Sequence, residues 1–203
     1  MYGIKKTIGI MAVAAVAMSS ATAQQPVDYV NPIIGTNGMG HTFPGACTPF
    51  GCIQLSPDTD TIPHNINGAY QKNAYEYCAG YQYRDKTIVG FSHTHLSGTG
   101  HSDLGDILLM PATGALKLSP GRADHPDEGY RSRFSHATEK ATPGYYEVML
   151  DDYGIKAQLT ATQRVGVHKY TFPKGKDGHL ILDLVHGIYN YDGKVLWANL
   201  RVE

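Results

Sequence analysis

Charge is scarce in this sequence. Its 203 residues hold 17 Lys and Arg against 18 Asp and Glu, for a net charge of -1. That balance points to neither a nucleic acid nor an anionic membrane as partner. Cysteine is scarce too, with three thiols at Cys47, Cys52 and Cys78. No Cys-x-x-Cys spacing occurs, so a structural zinc site built on thiolates is unsupported. An odd number leaves at least one thiol free or paired elsewhere. Cys47 and Cys52 flank a turn sequence, Thr48-Pro49-Phe50-Gly51, that would bring them together. Burial of all three as small hydrophobes is the competing reading. Long apolar runs are also missing. The run at residues 8–18 covers about eleven residues, too few for a comfortable membrane span. No long helical period follows it.

What is abundant is glycine (23), proline (11) and tyrosine (14). Such a composition suits a loop-rich, β-rich protein rather than a helical bundle. The N-terminus reads as a leader. Lys5 and Lys6 precede the apolar run, and Ala21-Thr22-Ala23 places small residues where a signal peptidase reads them. Residues 1–23 are therefore expected to be a signal peptide cleaved before Gln24. The mature chain, residues 24–203, is expected to be exported to the periplasm or medium and to have no membrane association after cleavage. An oxidising compartment permits a disulfide.

Residues 30–59 hold five Gly and four Pro, with Pro44, Pro49 and Pro57 read as turn positions. The spacing is not Gly-x-x-x-x-Gly-Lys, so a nucleotide loop is not indicated. Ile53 to Leu55 reads as a short strand, as do residues 79–83, 87–91 and 107–110, the last ended by Pro111. Residues 112–118 are read as another strand. The pattern is plainest later. Tyr146, Val148 and Leu150 share one face, as do Ile155, Ala157, Leu159 and Ala161, with polar residues between them. Strands at 165–172 and 179–185 follow. Period-two alternation with short turns predicts an antiparallel meander with one face buried. The fold expected is mostly β, an antiparallel β-sandwich. Residues 187–203 begin another turn and strand, with Trp197, Leu200 and Val202, and show no closing element. The expectation is a domain cut in mid-course.

The chemistry concentrates in residues 90–106, GFSHTHLSGTGHSDLGD. This run holds three His, two Asp and three Ser, with almost no long aliphatic side chains. It is a polar, glycine-broken loop between two apolar strands, the usual way to display binding groups on a rigid scaffold. His93 and His95 would share one face of an extended chain, with His101 and Asp103 within reach. Three readings stand. Three His and an Asp suit a divalent metal, although the spacing is neither His-Glu-x-x-His nor His-x-His-x-Asp-His. The imidazoles also suit hydrogen bonds to backbone inside a buried loop. They suit direct binding of a polyhydroxylated ligand as well. Sugars want short polar groups beside aromatics. The loops offer His41, Thr42, Phe43, Ser97 and Thr99, with Tyr75, Tyr77, Tyr81 and Tyr83 near in sequence. A glycosidase needs two carboxylates across the scissile bond. Asp58, Asp60, Asp103 and Asp106 are near, and no pair among them is marked.

Three stretches resemble the N-terminal domain of glycoside hydrolase family 92: YVNPIIGT at 29–36, GTNGMGHTFPGACTPFGCIQLSPDT at 35–59, and GFSHTHLSGTGHSDLGD at 90–106. With the meander over 144–183, the resemblance covers nearly all of the mature chain. It implies exo-acting, calcium-dependent α-mannosidases that invert the anomeric carbon. It implies a β-sandwich packed on a C-terminal (α/α)6 barrel. That barrel would hold the general acid, the general base and the calcium ligands, all outside this chain. The two Gly-rich loops carry over, as contributors to the sugar pocket or the domain interface. His41, His93, His95 and Asp103 are the substrate-binding candidates on that basis. The expected partners are a mannose-containing glycan and the absent barrel, and the chain alone is expected to be inactive. A stand-alone carbohydrate-binding module and a His/Asp metallohydrolase are the alternatives.

Overall fold

The computed structural model describes residues 24–60, 63–98, 101–191 and 193–203. The leader expected over residues 1–23 lies outside the described residues, as do Thr61, Ile62, Thr99, Gly100 and Asp192.

The strands in chain order are β1 (Ala46–Cys47), β2 (Gln54–Asp58), β3 (Asn65–Ile66), β4 (Ala69–Tyr70), β5 (Thr87–Ile88), β6 (Gly90–Ser92), β7 (Leu108–Thr113), β8 (Ser132–Arg133), β9 (Lys140–Thr142), β10 (Tyr145–Leu150), β11 (Ile155–Ala161), β12 (Gly166–Thr171) and β13 (Gly178–Asp183). A five-stranded sheet runs β1-β2-β6-β7-β13, and a four-stranded sheet runs β12-β11-β10-β9. The pairs β3-β4 and β5-β8 form small ladders of their own. Every pairing is antiparallel. Helical structure is confined to short 3-10 turns, of which Lys72–Tyr77 is the longest among the described residues. The mostly β, antiparallel fold expected from the sequence is the one observed.

The two large sheets share one core. The first contributes Leu55, Phe91, Leu108 and Met110; the second contributes Tyr146, Val148, Leu150, Ile155, Ala157 and Leu159. Each large apolar side chain among them contributes about 1.5–3 kcal/mol when fully buried. The alternation read in β10 and β11 is realised residue by residue, with the apolar set inward and Lys156 and Gln158 outward of it. The register is in phase, with Val148 opposite Ala157 and Leu150 opposite Ile155.

Several expectations are corrected. The strand after the meander does not extend it. β13 crosses to the other sheet and pairs with β7, while the fourth place beside β10 is taken by β9. Residues 79–83 form no strand; they follow the 3-10 segment Lys72–Tyr77 as a turn and a loop that buries both Tyr81 and Gln82. The run 87–91 is split between two sheets, with β5 pairing β8 and β6 joining β2. Pro57 lies inside β2 rather than at a turn, and Pro111 does not end β7, which continues to Thr113. Pro111 stands opposite Leu180 of β13 and beyond Leu109, the last β7 residue paired to β6. There β7 has a partner on one side only, where a missing N–H is tolerated. Residues 114–118 form no strand, nor do residues 193–203. Leu196, Trp197, Leu200 and Val202 are exposed. All three cysteines are free thiols, with Cys47 and Cys52 exposed and Cys78 buried.

Candidate functional site

The two Gly-rich loops meet. The amide of Gly98 donates to the carbonyl of His41 at 2.6 Å, and the rings of Phe43 and His95 lie 5.1 Å apart. The first loop is folded tightly on itself: a Cβ on Gly40 would fall 2.0 Å from the Gly35 carbonyl oxygen. His41 takes a left-handed backbone and sets its ring edge-on to Tyr75 at 5.0 Å. Its Nε2 is buried without a hydrogen-bond partner. Leu104 and Ile107 in the second loop are also left-handed, which for a β-branched residue marks strain of the kind found at functional sites.

His93 and His95 have separate partners. His95 turns inward, with Nε2 2.8 Å from Oδ1 of Asp58 and Nδ1 2.6 Å from the carbonyl oxygen of Gln54. The other Asp58 oxygen, Oδ2, lies 2.7 Å from Nε2 of His186. The Asp58 and His95 side chains have no exposure and that of His186 has 1%. Burial by itself raises the Asp58 carboxyl, but the two imidazoles overcome it and hold the group well below the usual carboxylate range. His93 instead reaches the second sheet. Its Nδ1 lies 2.6 Å from the Ile107 carbonyl oxygen and its Nε2 3.1 Å from Nε2 of His168. Asp103 is exposed and accepts from the amide of Leu104; Asp106 accepts from the hydroxyl of Thr94. His101 is exposed, and Thr99 lies outside the described residues.

The metal reading meets this arrangement directly, because the two imidazoles meant to share an ion are each bonded to protein groups. Among the described residues, no group of three or more His, Cys, Asp or Glu side chains is placed to hold a metal ion. The described residues therefore assemble no carboxylate cluster that would fit calcium.

A small pocket of about 180 Å³ opens beside the loops, lined by His64, Tyr70, Tyr75, His101, Ser102 and Tyr189. His64 is 2% exposed, and both of its ring nitrogens lack partners. Its ring leans on Tyr189 at 4.7 Å. Burial, assisted by the nearby Lys194 ammonium, lowers the His64 pKa. A neutral ring of this kind offers one donor and one acceptor, between three tyrosines that supply flat apolar faces. Sequence reasoning did not single out His64, Tyr70, Tyr189 or His186. The density of tyrosine was the one available signal; a lone His in a polar stretch carries none.

A second concavity, about 550 Å³, is apolar. Val30, Pro32, Phe43, Pro49, Phe50 and Pro143 are among its walls. Phe50 is fully exposed and has a left-handed φ of 57°.

The model of the Glycosyl hydrolase family 92 N-terminal domain matches residues 29–203. Among curated proteins, an uncharacterized secreted glycosidase of Arthroderma benhamiae is 29% identical over 171 residues, covering 82% of this chain and 20% of its own length. Among solved structures, a family GH92 α-mannosidase from Bacteroides thetaiotaomicron in complex with mannoimidazole is 47% identical, with a TM-score of 0.73 over 80% of this chain and 20% of that one. A GH92 inverting mannosidase from the same organism is 29% identical, with a TM-score of 0.59 over 79% of this chain and 20% of that one. The chain thus spans about a fifth of the length of the relatives it matches. Among the described residues, no helix is long and apolar enough to cross a membrane.

Proposed function

Because the chain belongs to glycosyl hydrolase family 92, whose N-terminal domain matches residues 29–203, we propose that it forms the substrate-flanking part of an exported α-mannosidase. That enzyme removes terminal α-mannose from mannose-rich glycans with inversion. The observation that carries this reading is the pocket of His64, Tyr70, Tyr75, His101, Ser102 and Tyr189. It joins unpartnered buried ring nitrogens to aromatic walls, the pairing that sugar hydroxyls and ring faces require. Its size suits a single ring rather than a drug-sized ligand of ~300 Å³ or more.

Inversion needs a general acid and a general base with room between them for water. Asp58, the most buried of the nearby carboxylates, is locked between two imidazoles and meets no solvent. The acid, the base and the calcium ligands are assigned to the remainder of the enzyme, an (α/α)6 barrel. The apolar concavity around Phe50 is the face against which that barrel packs. The candidates His41, His93, His95 and Asp103 then divide by role. His41 backs the pocket through Tyr75, His93 and His95 brace the loops, and Asp103 is the one left at the surface. Export is supported by the leader pattern at residues 1–23 and by a relative described as secreted.

Two measurements test this. Methyl α-mannoside titrated into the chain by calorimetry should bind weakly. α-1,2-Mannobiose incubated with the chain and calcium should release no mannose. Absence of any mannoside affinity would remove the sugar reading of the pocket, and clear mannose release would place the catalytic carboxylates in this chain. The alternative is a carbohydrate-binding module acting alone. It requires affinity for the chain alone equal to that of the complete enzyme.

A further inference from the structure

The pocket walls come from four stretches that are far apart in sequence, and each stretch leaves the same buried point. His64 follows Asp58, Ser102 follows His95, Tyr189 follows His186, and Tyr75 precedes Gly80. Asp58, His95 and His186 are the hydrogen-bonded cluster described above. Gly80 is pressed against it: a Cβ there would lie 2.1 Å from Oδ1 of Asp58 and 3.2 Å from Cδ2 of His95. Local bonds carry the restraint outward. His95 N–H and ring both meet Gln54 of β2. The amide of His186 donates to Asp183, the amide of Ile188 donates to the Leu104 carbonyl, and the amide of His64 donates to the Asn190 carbonyl. The second and third walls are thus tied to each other as well as to Asp58.

The hydrogen bonds within the cluster are set by its partners. Nδ1 of His95 faces a carbonyl oxygen, which only accepts, so it carries hydrogen. Nε2 faces a carboxylate oxygen, which when ionised also only accepts. The Ser92 hydroxyl lies 3.1 Å from the same nitrogen and completes its surroundings. His186 places its Nε2 2.7 Å from the remaining oxygen, so the buried carboxylate is held by hydrogen bonds on both sides.

Resting on the reading that this pocket takes a sugar ring, we infer that Asp58 is the positioning residue of the sugar site. It touches no ligand itself. Through His95 and His186 it sets the distance between the Ser102 wall and the Tyr189 wall. Asp58→Asn can keep the geometry: the amide donates to Nε2 of His95 and accepts from His186. Asp58→Ala cannot. His186→Asn releases the Tyr189 side alone.

The test follows backbone and ring resonances of the chain, with and without methyl α-mannoside. In the ligand-free protein, Asp58→Ala should move the resonances of Ser102, Tyr75, His64 and Tyr189 together, while β10 and β11 stay in place. His186→Asn should move those of Tyr189 and His64 and spare residues 93–98. With ligand, Asp58→Ala should bind about tenfold more weakly or worse, and Asp58→Asn should restore most of that loss. Unmoved wall resonances in a folded Asp58→Ala chain would overturn the inference whatever the ligand does. Should that variant not fold, the wild-type ring spectrum decides: a His95 Nε2 that makes no hydrogen bond to Asp58 would overturn it equally. A wild-type chain that binds no mannoside, but whose walls move as described, refutes the sugar reading and leaves the positioning role of Asp58 standing.

Discussion

Nε2 of His93 and Nε2 of His168 face each other at 3.1 Å, joining the end of β6 to β12 in the opposite sheet. One neutral arrangement satisfies every atom. Nδ1 of His93 donates to the Ile107 carbonyl, so its Nε2 is bare and accepts from Nε2–H of His168. Nδ1 of His168 then accepts from the hydroxyl of Tyr170, 2.7 Å away. Gly166 permits the approach, since a Cβ there would meet the His93 ring at 2.8 Å. One more proton would set two N–H groups against each other. Burial, followed by the His93 ring, pushes the His168 pKa down to about 4.

This makes the link acid-labile in a defined window. His168 titrates near 6.5 in an unfolded chain, so the unfolded state binds the extra proton between there and about 4. Stability is full above the upper value and falls as pH drops toward the lower one. The complete linkage would be about 3 kcal/mol, and partial exposure of the ring reduces the expected loss to about 1–2 kcal/mol. Urea unfolding of the wild type and of His168→Phe, compared between neutral pH and about pH 4.5, isolates the effect from the titration of carboxylates. The difference between the two proteins should shrink with acid. A difference that does not depend on pH would exclude His168 as the titrating group.

Gly80 has a left-handed φ of 78° and no room for a side chain beside Asp58. Gly114 has a φ of 84°, and a Cβ added there would meet nothing within 4 Å. The two positions separate backbone strain from contact. Gly114→Ala should cost about 1 kcal/mol, the backbone penalty alone. Gly80→Ala should cost about 3–5 kcal/mol, because it also displaces a buried, hydrogen-bonded carboxylate. Denaturant midpoints at constant slope decide it. Equal costs at both positions would show that the Asp58 cluster yields without penalty.

Phe50 presents the opposite case, an aromatic side chain wholly in solvent on a left-handed backbone. Nothing is buried to offset the strain. Phe50→Gly should therefore leave the stability of the chain unchanged or raise it by up to about 1 kcal/mol, with relief of strain set against the entropy of the unfolded glycine. A loss above about 1 kcal/mol would mean that the ring packs into the neighbouring concavity in solution, and the surface would no longer be available to a second domain.

How far the sequence could be read depended on the range of the interaction. The faces of β10 and β11 were legible because alternation reports burial directly, and both strands are buried on one side. The place of β13 was not, because a period of two says which face is inward and nothing about which neighbour pairs. Pro57 and Pro111 looked like breaks and are strand residues, since a proline is tolerated where the ladder makes no use of its nitrogen. The loops 35–43 and 90–106 stood out as polar and glycine-broken. The bond from His95 to Asp58 spans 37 residues and that from His186 spans 128. At such separations spacing carries no information, and only the folded chain reveals that His93 and His95 part company.

Glu139 shows the same limit, and its role can be measured. No motif marks it, yet its side chain is 3% exposed and ringed by hydrogen-bond donors. The hydroxyl of Tyr81 donates to both carboxylate oxygens at 2.9 and 3.1 Å, that of Tyr146 donates to Oε1 at 2.7 Å, and Nδ1 of His136 lies 2.6 Å from Oε2. Nε2 of His136 meets the Tyr83 carbonyl oxygen at 2.6 Å. The cluster ties the loop before β5 to β9 and β10. Burial, reinforced by the Glu139 charge, pushes the Tyr81 and Tyr146 phenols above their usual range, so both remain donors. Glu139→Ala strands two buried hydroxyls and should cost about 3–5 kcal/mol. Glu139→Gln should cost only about 1–2 kcal/mol. Its carbonyl can accept from both tyrosines, and its amide can donate to Nδ1 of a His136 ring whose hydrogen sits on Nε2, facing the Tyr83 carbonyl. Matching losses for the two variants in urea unfolding would mean that the tyrosine bonds add nothing beyond side-chain volume.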